Sequence, residues 1–142
     1  MGRPLNKRYF GSGAGNQIKV RAKIGANAEG DGRIVSQRGT RKFKVTVLLK
    51  GNKTVVANDH RVIQLPAASS WLATAGTGDV LAGLLGALLA LNHKAVTKDN
   101  LIELGATASF IHAQSAKRSS NGPIDAQKMI DQITKVVSQL SK

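Results

Sequence analysis

The feature that most constrains the fold is a glycine-rich turn followed directly by a long apolar run. Gly-Thr-Gly-Asp at residues 76–79 precedes residues 80–91, in which only two glycines interrupt the apolar side chains. A helix over about residues 79–91 would be apolar on most of its surface, and such a helix needs burial on several sides. The run is too short to span a bilayer. We therefore expect a globular α/β protein without a membrane partner.

The same tetrapeptide has the composition of an anion-binding turn. Glycine lets backbone N–H groups approach a ligand without a Cβ atom in the way. The first turn of a helix adds unpaired N–H donors and a partial positive charge, which together suit a phosphate group. Asp79 beside them can accept the proton of a hydroxyl that is being phosphorylated. The spacing also allows a purely structural interpretation, in which Thr77 or Asp79 only caps a buried helix.

Strand patterns precede this turn. Apolar and basic residues alternate over residues 17–24, which is typical of a half-buried strand. A second short strand is expected at residues 34–35, followed by a turn at Arg38-Gly39. Residues 42–49 begin as an alternation and end as an apolar run, which indicates a strand entering a buried setting. Two more strands, at 54–57 and 61–65, would flank a hairpin turn at 58–61, and a loop is expected over 66–75.

Two further helices complete the predicted fold. One begins at Thr97 as N-cap and ends near residue 117, and the other begins near Asp125. Each has apolar residues at helical spacing: Leu101, Leu104, Ala108 and Ile111 in the first, and Met129, Ile130, Ile133, Val137 and Leu140 in the second. The pattern predicts short strands followed by three helices.

Charge is distributed unevenly along the chain. Residues 1–46 carry 11 basic against two acidic side chains, a net +9, while residues 47–142 carry only a net +4. Residues 1–16 are expected to form a flexible arm, and residues 17–44 a basic segment that binds polyanions without sequence preference. Its candidate phosphate contacts are Arg21, Lys23, Arg38, Arg41, Lys42 and Lys44. The chain has no cysteine and no signal-peptide pattern, so we expect a cytoplasmic location.

Three segments in order resemble one enzyme family. The segment ATAGTGDVLAGLLGALLA resembles the G-x-G-D signature of the ribokinase superfamily, and more closely its ADP-dependent NAD(P)H-hydrate dehydratase branch. The strand before it, with Lys-Gly-Asn-Lys-Thr at 50–54, is similar to that branch's K-G-x-x-T nucleotide loop. KDNLIELGATASFIHAQSA resembles the helix that follows. Residues 45–142 are thereby identified as the C-terminal part of a ribokinase-like nucleotide-binding domain, preceded by a basic β-rich segment over 1–44.

The resemblance implies specific roles. Asp79 would be the catalytic residue, acting at the hydroxyl of the hydrated nicotinamide. ADP or ATP with Mg²⁺ would drive loss of that hydroxyl as water, by phosphorylation and then elimination, which makes the enzyme a lyase acting on hydrated NAD(P)H. The nucleotide would be bound by Lys50, Gly51, Asn52, Lys53, Thr54, Gly76, Thr77 and Gly78. No metal ligand is expected from the protein, because no two histidines have metal-ligand spacing.

Two other function classes stay open. A ribokinase-type small-molecule kinase would share the G-x-G-D site, although the continuation over residues 79–83 favours the dehydratase branch. The second is a basic structural or nucleic-acid-binding protein, because residues 1–44 resemble a small virion protein of T4-like phages. A fusion of two unrelated pieces near residues 44–47 would explain both resemblances and the change in charge.

The expected activity of the chain by itself is low. The family's large N-terminal portion, including the strands that should flank residues 45–49, is absent from the sequence, and catalysis requires a rigid scaffold. The basic strands of residues 17–44 would pair with residues 45–49 and fill part of that gap. Apolar surface left exposed on the helix after the glycine turn would favour self-association.

Overall fold

The computed structural model describes residues 21–24, 38, 40–42 and 44–141. Within them the chain forms a small sheet followed by helices, as expected. The strands are β1 (Arg21–Ile24), β2 (Val47–Lys50), β3 (Val55–Ala57) and β4 (Val62–Gln64); a 3-10 helix (Ser70–Ala73) precedes α1 (Thr77–Leu91), α2 (Leu101–Ser119) and α3 (Ala126–Leu140). The predicted arm at 1–16, the first half of the strand at 17–24 and the strand at 34–35 lie outside the described residues, as do the side chains of Arg21 and Lys23.

The sheet has the order β1-β2-β3-β4, and β1 is parallel to β2. This pairing, with Arg21 opposite Val47, confirms the expected strand at its described residues and its predicted contact with the segment 45–49. β3 borders β2 on the other side in antiparallel register. Both edges of β2 are therefore paired, so the gap expected beside residues 45–49 is filled by β1 on one side and by β3 on the other.

The connection between β1 and β2 contains a helical turn. Parallel neighbours need a crossover of a dozen residues or more, which usually includes a helix. Arg38 and residues 40–42 are helical, so the predicted turn at Arg38-Gly39 and a strand beginning at Lys42 are wrong. Lys44 has a φ of 50° and its N–H donates to the Thr40 carbonyl at 2.7 Å, which ends the turn. The short alternation of basic and apolar residues from Lys42 onward is compatible with either a strand or the end of a helical turn, so it did not predict the turn.

The predicted hairpin at residues 58–61 is confirmed. The Asn58 side-chain oxygen accepts hydrogen bonds from the backbone N–H groups of His60 and Arg61, at 3.0 and 2.8 Å. This side-chain turn mimics a backbone turn and reverses the chain between β3 and β4. Arg61 then forms an ion pair with Glu103 on α2, which ties the hairpin to that helix.

The three predicted helices are present with shifted starts. α2 begins at Leu101 rather than after Thr97, because Thr97 and Asn100 hydrogen-bond to each other: the Thr97 N–H donates to the Asn100 side chain at 2.7 Å, and the Asn100 N–H donates to the Thr97 hydroxyl at 3.3 Å. Such reciprocal bonds form a local turn ahead of the helix. At α3 the predicted cap is confirmed, since the Asp125 carboxylate accepts the Lys128 N–H at 2.8 Å.

The core lies between the sheet and the helices. One buried cluster joins Leu48, Val56, Leu81, Ile102 and Ala108, and a second joins Leu72, Ala116, Ile124 and Met129. Gly105 lets α2 approach the sheet closely, because a Cβ atom at this position would lie 2.9 Å from Val56. No helix in the described part of the chain is long and apolar enough to cross a membrane.

Two helices, α1 and α3, have apolar side chains that are only partly covered. In α1 the buried residues are Thr77 and Leu81, and Leu91 is 80% exposed. In α3 the buried side follows Met129 and Val136, which are seven residues apart. The predicted apolar stripe on α3 is therefore partly wrong, since three of its members are at least 40% exposed: Ile130, Val137 and Leu140.

Candidate functional site

The glycine turn lies where the sequence places it, at the N-terminus of α1. Gly76 is the N-cap and adopts a left-handed conformation, with φ 85° and ψ −23°. The Val80 N–H donates to the Gly76 carbonyl at 3.1 Å as the first bond of the helix, so the three N–H groups at 77–79 have no partner one turn earlier. Gly78 is half-buried, and Asp79 is exposed in the first turn. The unpaired N–H donors and the Asp79 carboxylate therefore lie together at the N-terminus of α1.

Gly76 is required by the turn for two reasons. Left-handed backbone is strained for residues with a Cβ atom. A Cβ here would also lie 3.2 Å from the Cβ of Ala126, the first residue of α3. The cap is thus Gly76, and the interpretation in which Thr77 or Asp79 serves as the N-cap is wrong.

Thr77 braces the turn from inside. Its side chain is buried, and its hydroxyl oxygen lies 2.8 Å from the carbonyl oxygens of both Leu72 and Thr74. A hydroxyl has one proton, so it donates to one of these carbonyls at a time. The turn is consequently anchored to the 3-10 helix that precedes it.

Lys50 reaches the same anchor from the end of β2. Its ammonium group donates to the Leu72 carbonyl at 3.1 Å, and partial burial lowers the pKa of Lys50 below its ordinary value. Two donors from different elements, Lys50 Nζ and Thr77 Oγ1, therefore converge on one carbonyl oxygen. Lys50, a predicted nucleotide-binding residue, is thus linked to the glycine turn through the Leu72 carbonyl that it shares with Thr77.

The rest of the predicted nucleotide loop lies beside the segment that leads to the turn. Gly51, Asn52 and Lys53 are exposed, and Thr54 is buried. The Asn52 carbonyl accepts the N–H of Ala68 at 2.9 Å, and the Thr54 carbonyl accepts the N–H of Leu65 at the same distance. Backbone bonds thus hold both ends of the loop, while the side chains between them face solvent.

His112 is a site residue that the sequence did not reveal. It lies in the middle of α2, only 3% exposed, and its Nε2 is 2.8 Å from the Thr77 carbonyl oxygen. A carbonyl only accepts, so Nε2 carries the proton. Burial lowers the pKa of His112; the bond to Thr77 opposes this, and the Lys50 charge adds to it. His112 lies within a predicted helix, but no sequence pattern linked it to a turn 35 residues away.

Other predicted contacts are partly visible. Arg38, Arg41, Lys42 and Lys44 are exposed, and polyanion binding by this segment stays a prediction. Among the described residues, no three His, Cys, Asp or Glu side chains form a group that could hold a metal ion. Asp79 is the acidic residue in the first turn of α1.

A family model described as NAD(P)H-hydrate dehydratase matches residues 21–135. The chain belongs to the NAD(P)H-hydrate dehydratase family. The match begins at residue 21, further toward the N-terminus than the resemblance at 45–142 indicated. It includes residues 44–47, so it gives no support to a fusion at that point. The findings likewise do not support the resemblance of residues 1–44 to a phage protein.

Curated relatives of this dehydratase-family chain carry matching names. It is 39% identical over 127 residues to the bifunctional NAD(P)H-hydrate repair enzyme Nnr of Mycobacterium leprae, covering 84% of this chain and 26% of the relative. It is 30% identical over 111 residues to the ADP-dependent (S)-NAD(P)H-hydrate dehydratase of Nitrosopumilus maritimus, covering 78% of this chain and 33% of the relative. The chain thus spans about a quarter to a third of the length of these proteins.

Solved structures give the fold. Bacillus subtilis YxkO matches with a TM-score of 0.69 at 21% identity, over 95% of this chain and 53% of that one. A ribokinase-like superfamily protein from Enterococcus faecalis matches with a TM-score of 0.59 at 23% identity, over 72% of this chain and 35% of that one. The dehydratase-family chain therefore has a partial ribokinase-like fold, as the sequence predicted.

Proposed function

We propose that this chain forms the nucleotide-phosphate site and carries the catalytic carboxylate of an ADP- or ATP-dependent NAD(P)H-hydrate dehydratase. The observation that carries the proposal is the glycine turn at the start of α1, with Asp79 in its first turn. Family membership supplies the substrate class, and the N. maritimus relative is named as ADP-dependent. A cytoplasmic location belongs to the same proposal.

The backbone of the turn binds the phosphate. The N–H groups of Thr77, Gly78 and Asp79 precede the first helical bond, and the helix dipole adds partial positive charge at this end. Gly78 adds no Cβ, so an oxyanion can approach closely. The exposed loop residues Gly51, Asn52 and Lys53 contact the rest of the nucleotide. Lys50 and Thr54 fix the backbone at the two ends of this loop, and Gly76 fixes the backbone of the glycine turn.

Asp79 handles the proton. Its carboxylate is exposed beside the phosphate donors, where it can accept the proton of the hydroxyl on the hydrated nicotinamide ring. The nucleotide, when bound, supplies the phosphoryl group that converts this hydroxyl into a better leaving group. Helix-end N–H groups stabilise the negative charge that develops on phosphate oxygens.

The residues present fit magnesium carried in with the nucleotide. Mg²⁺ is usually held by one or two carboxylates together with phosphate oxygens, and it keeps several water ligands. Because no metal ligand is expected from the protein and Asp79 accepts the proton, phosphate oxygens and water would hold the ion beside the turn. A dedicated cage of protein ligands is not needed for this mode of binding.

Calorimetric titration with ADP and Mg²⁺ at low salt tests the binding site. We expect weak binding by the parent chain and at least a tenfold loss in Gly78→Val, because the added side chain blocks approach to the backbone donors. Gly86→Val is the matched control, since a Cβ there meets nothing within 4 Å. Equal heats from the parent and Gly78→Val would contradict the proposal.

Activity is tested with hydrated NADH, ADP and Mg²⁺, beside an Asp79→Asn control. We expect the chain alone to turn over far more slowly than a full-length family member, because it spans about a quarter to a third of its relatives' length. Turnover near that of a full-length enzyme, abolished in Asp79→Asn, would show that this chain is sufficient. Its partners would then be the nucleotide and hydrated NAD(P)H, without a second protein segment.

A further inference from the structure

We propose that His112 is a positioning residue for the phosphate-binding turn, and that it sets the direction of the Gly78 N–H group. The inference rests on the proposed function, because it concerns the donors of that same site. His112 is a buried side chain on α2, and its hydrogen bond is to the Thr77 carbonyl rather than to the nucleotide loop or Asp79.

The argument begins with the peptide unit that joins Thr77 to Gly78. A peptide unit is planar and trans, so the Thr77 carbonyl and the Gly78 N–H belong to one rigid plane and point in opposite directions. His112 Nε2 donates to that carbonyl at 2.8 Å. A bond that fixes the carbonyl therefore also fixes the N–H on the opposite side, which faces the open end of the helix.

Thr77 is held through both its side-chain hydroxyl and its backbone carbonyl. Its hydroxyl is bonded toward the Leu72 carbonyl at 2.8 Å, and the same carbonyl accepts Lys50 Nζ at 3.1 Å. Its carbonyl is held by His112. The 3-10 helix and α2 thus both hold the first residue of α1, while β2 contacts the same Leu72 carbonyl through Lys50.

The glycines explain why such support is useful. Gly76 and Gly78 flank Thr77, and glycine has the largest backbone freedom of any residue. The helical bond of α1 already restrains the Thr77 carbonyl, and the bond from His112 restrains it further, which reduces the ordering of the Gly78 N–H that ligand binding must still achieve. His112 is well suited to the task because burial lowers its pKa and so favours the neutral imidazole, which supplies a donor without a second positive charge near Lys50.

The test compares variants that keep or remove the donor. His112→Gln can still present an N–H near the Nε2 position, His112→Leu removes the donor while remaining apolar, and His112→Asn is too short to reach Thr77. Ile111→Val is the control for stability, since Ile111 is buried on the same helix and the change removes one methyl group from the core. The Asn variant serves if the Leu variant does not fold.

Two measurements are made on each variant. The first is the amide ¹H and ¹⁵N shift of Gly78 without ligand, and the second is ADP–Mg²⁺ affinity by calorimetry. We expect His112→Leu and His112→Asn to shift the Gly78 amide and weaken ADP binding about tenfold, the equivalent of one lost hydrogen bond. His112→Gln should restore most of both, and Ile111→Val should change neither.

The outcomes separate this inference from the proposed function. If the parent does not bind ADP, the proposed function fails, while the ligand-free Gly78 signal still decides whether His112 positions the turn. If the Leu and Asn variants leave the Gly78 amide and the affinity unchanged, or change them no more than Ile111→Val does, the inference is overturned. Failure of His112→Gln to restore the Gly78 signal would overturn it as well.

Discussion

Replacing Gly76 with alanine should destabilise the protein by about 1 kcal/mol. Left-handed backbone costs an L residue roughly 1–2 kcal/mol, and Gly76 has a φ of 85°. The new Cβ would also lie 3.2 Å from the Cβ of Ala126, so Ala126 would have to shift by a few tenths of an ångström. Alanine restricts the unfolded chain and returns roughly 0.4–1 kcal/mol. The net loss corresponds to a melting temperature lower by about 4 °C for a domain of this size.

Urea denaturation at 25 °C measures this loss, with Gly86→Ala as the matched control. Gly86 lies inside α1, and a Cβ there meets nothing within 4 Å, so alanine should stabilise the protein by roughly 0.5–1 kcal/mol. Two further variants separate the causes. Gly76→Asn keeps the Cβ but tolerates left-handed backbone, and adding Ala126→Gly to Gly76→Ala removes the close contact.

Alanine is expected to have opposite effects on stability at Gly76, in the cap of α1, and at Gly86, inside that helix. If Gly76→Ala raised the free energy of unfolding as Gly86→Ala does, the left-handed conformation at the cap would be refuted. If Gly76→Asn lost as much as Gly76→Ala, and Ala126→Gly restored the loss, then the contact with Ala126 rather than backbone strain would be its cause.

Three other perturbations have defined outcomes. Gly105→Ala should cost roughly 1–3 kcal/mol in urea denaturation, because its Cβ would overlap Val56; no loss would contradict the close packing of α2 on β3. Asp125→Ala should cost about 1 kcal/mol through loss of the α3 cap, whereas Asp125→Asn should retain most of it. Because the pKa of His112 is lowered in the folded protein, the unfolded chain takes up more protons below about pH 6.5, so the free energy of unfolding should fall as pH falls below that value. His112→Gln should show a flatter dependence between pH 7.5 and 5.5, and an unchanged slope would refute the assignment.

The parts of the site that depend on local rules were predictable from sequence. Glycine and acid before an apolar run predicted the turn at 76–79, and Asn58 and Asp125 identified a hairpin and a cap. Each of these depends on bonds within a few residues, so the residue types are sufficient to indicate them.

The parts that depend on tertiary packing were not predictable. Lys50 bonds to a carbonyl 22 residues away, and His112 to one 35 residues away. Neither pairing leaves a periodic trace, because the first depends on how the 3-10 helix lies against the end of β2 and the second on how α2 packs beside α1. The same limit explains α3, where helical spacing predicted an apolar stripe but the contact with α2 selected Met129 and Val136 as the buried side.

The mixed sheet has a consequence for the order of assembly. β2, β3 and β4 are joined by short connections and can pair within microseconds, as hairpins do. β1 pairs with β2 across a separation of 26 residues, so its loop closure costs more entropy and is expected to come later. Until it docks, the apolar Val-Leu-Leu segment of β2 has an open edge. Intermolecular strand pairing at β2 is thus most favoured in the interval before β1 pairs with it.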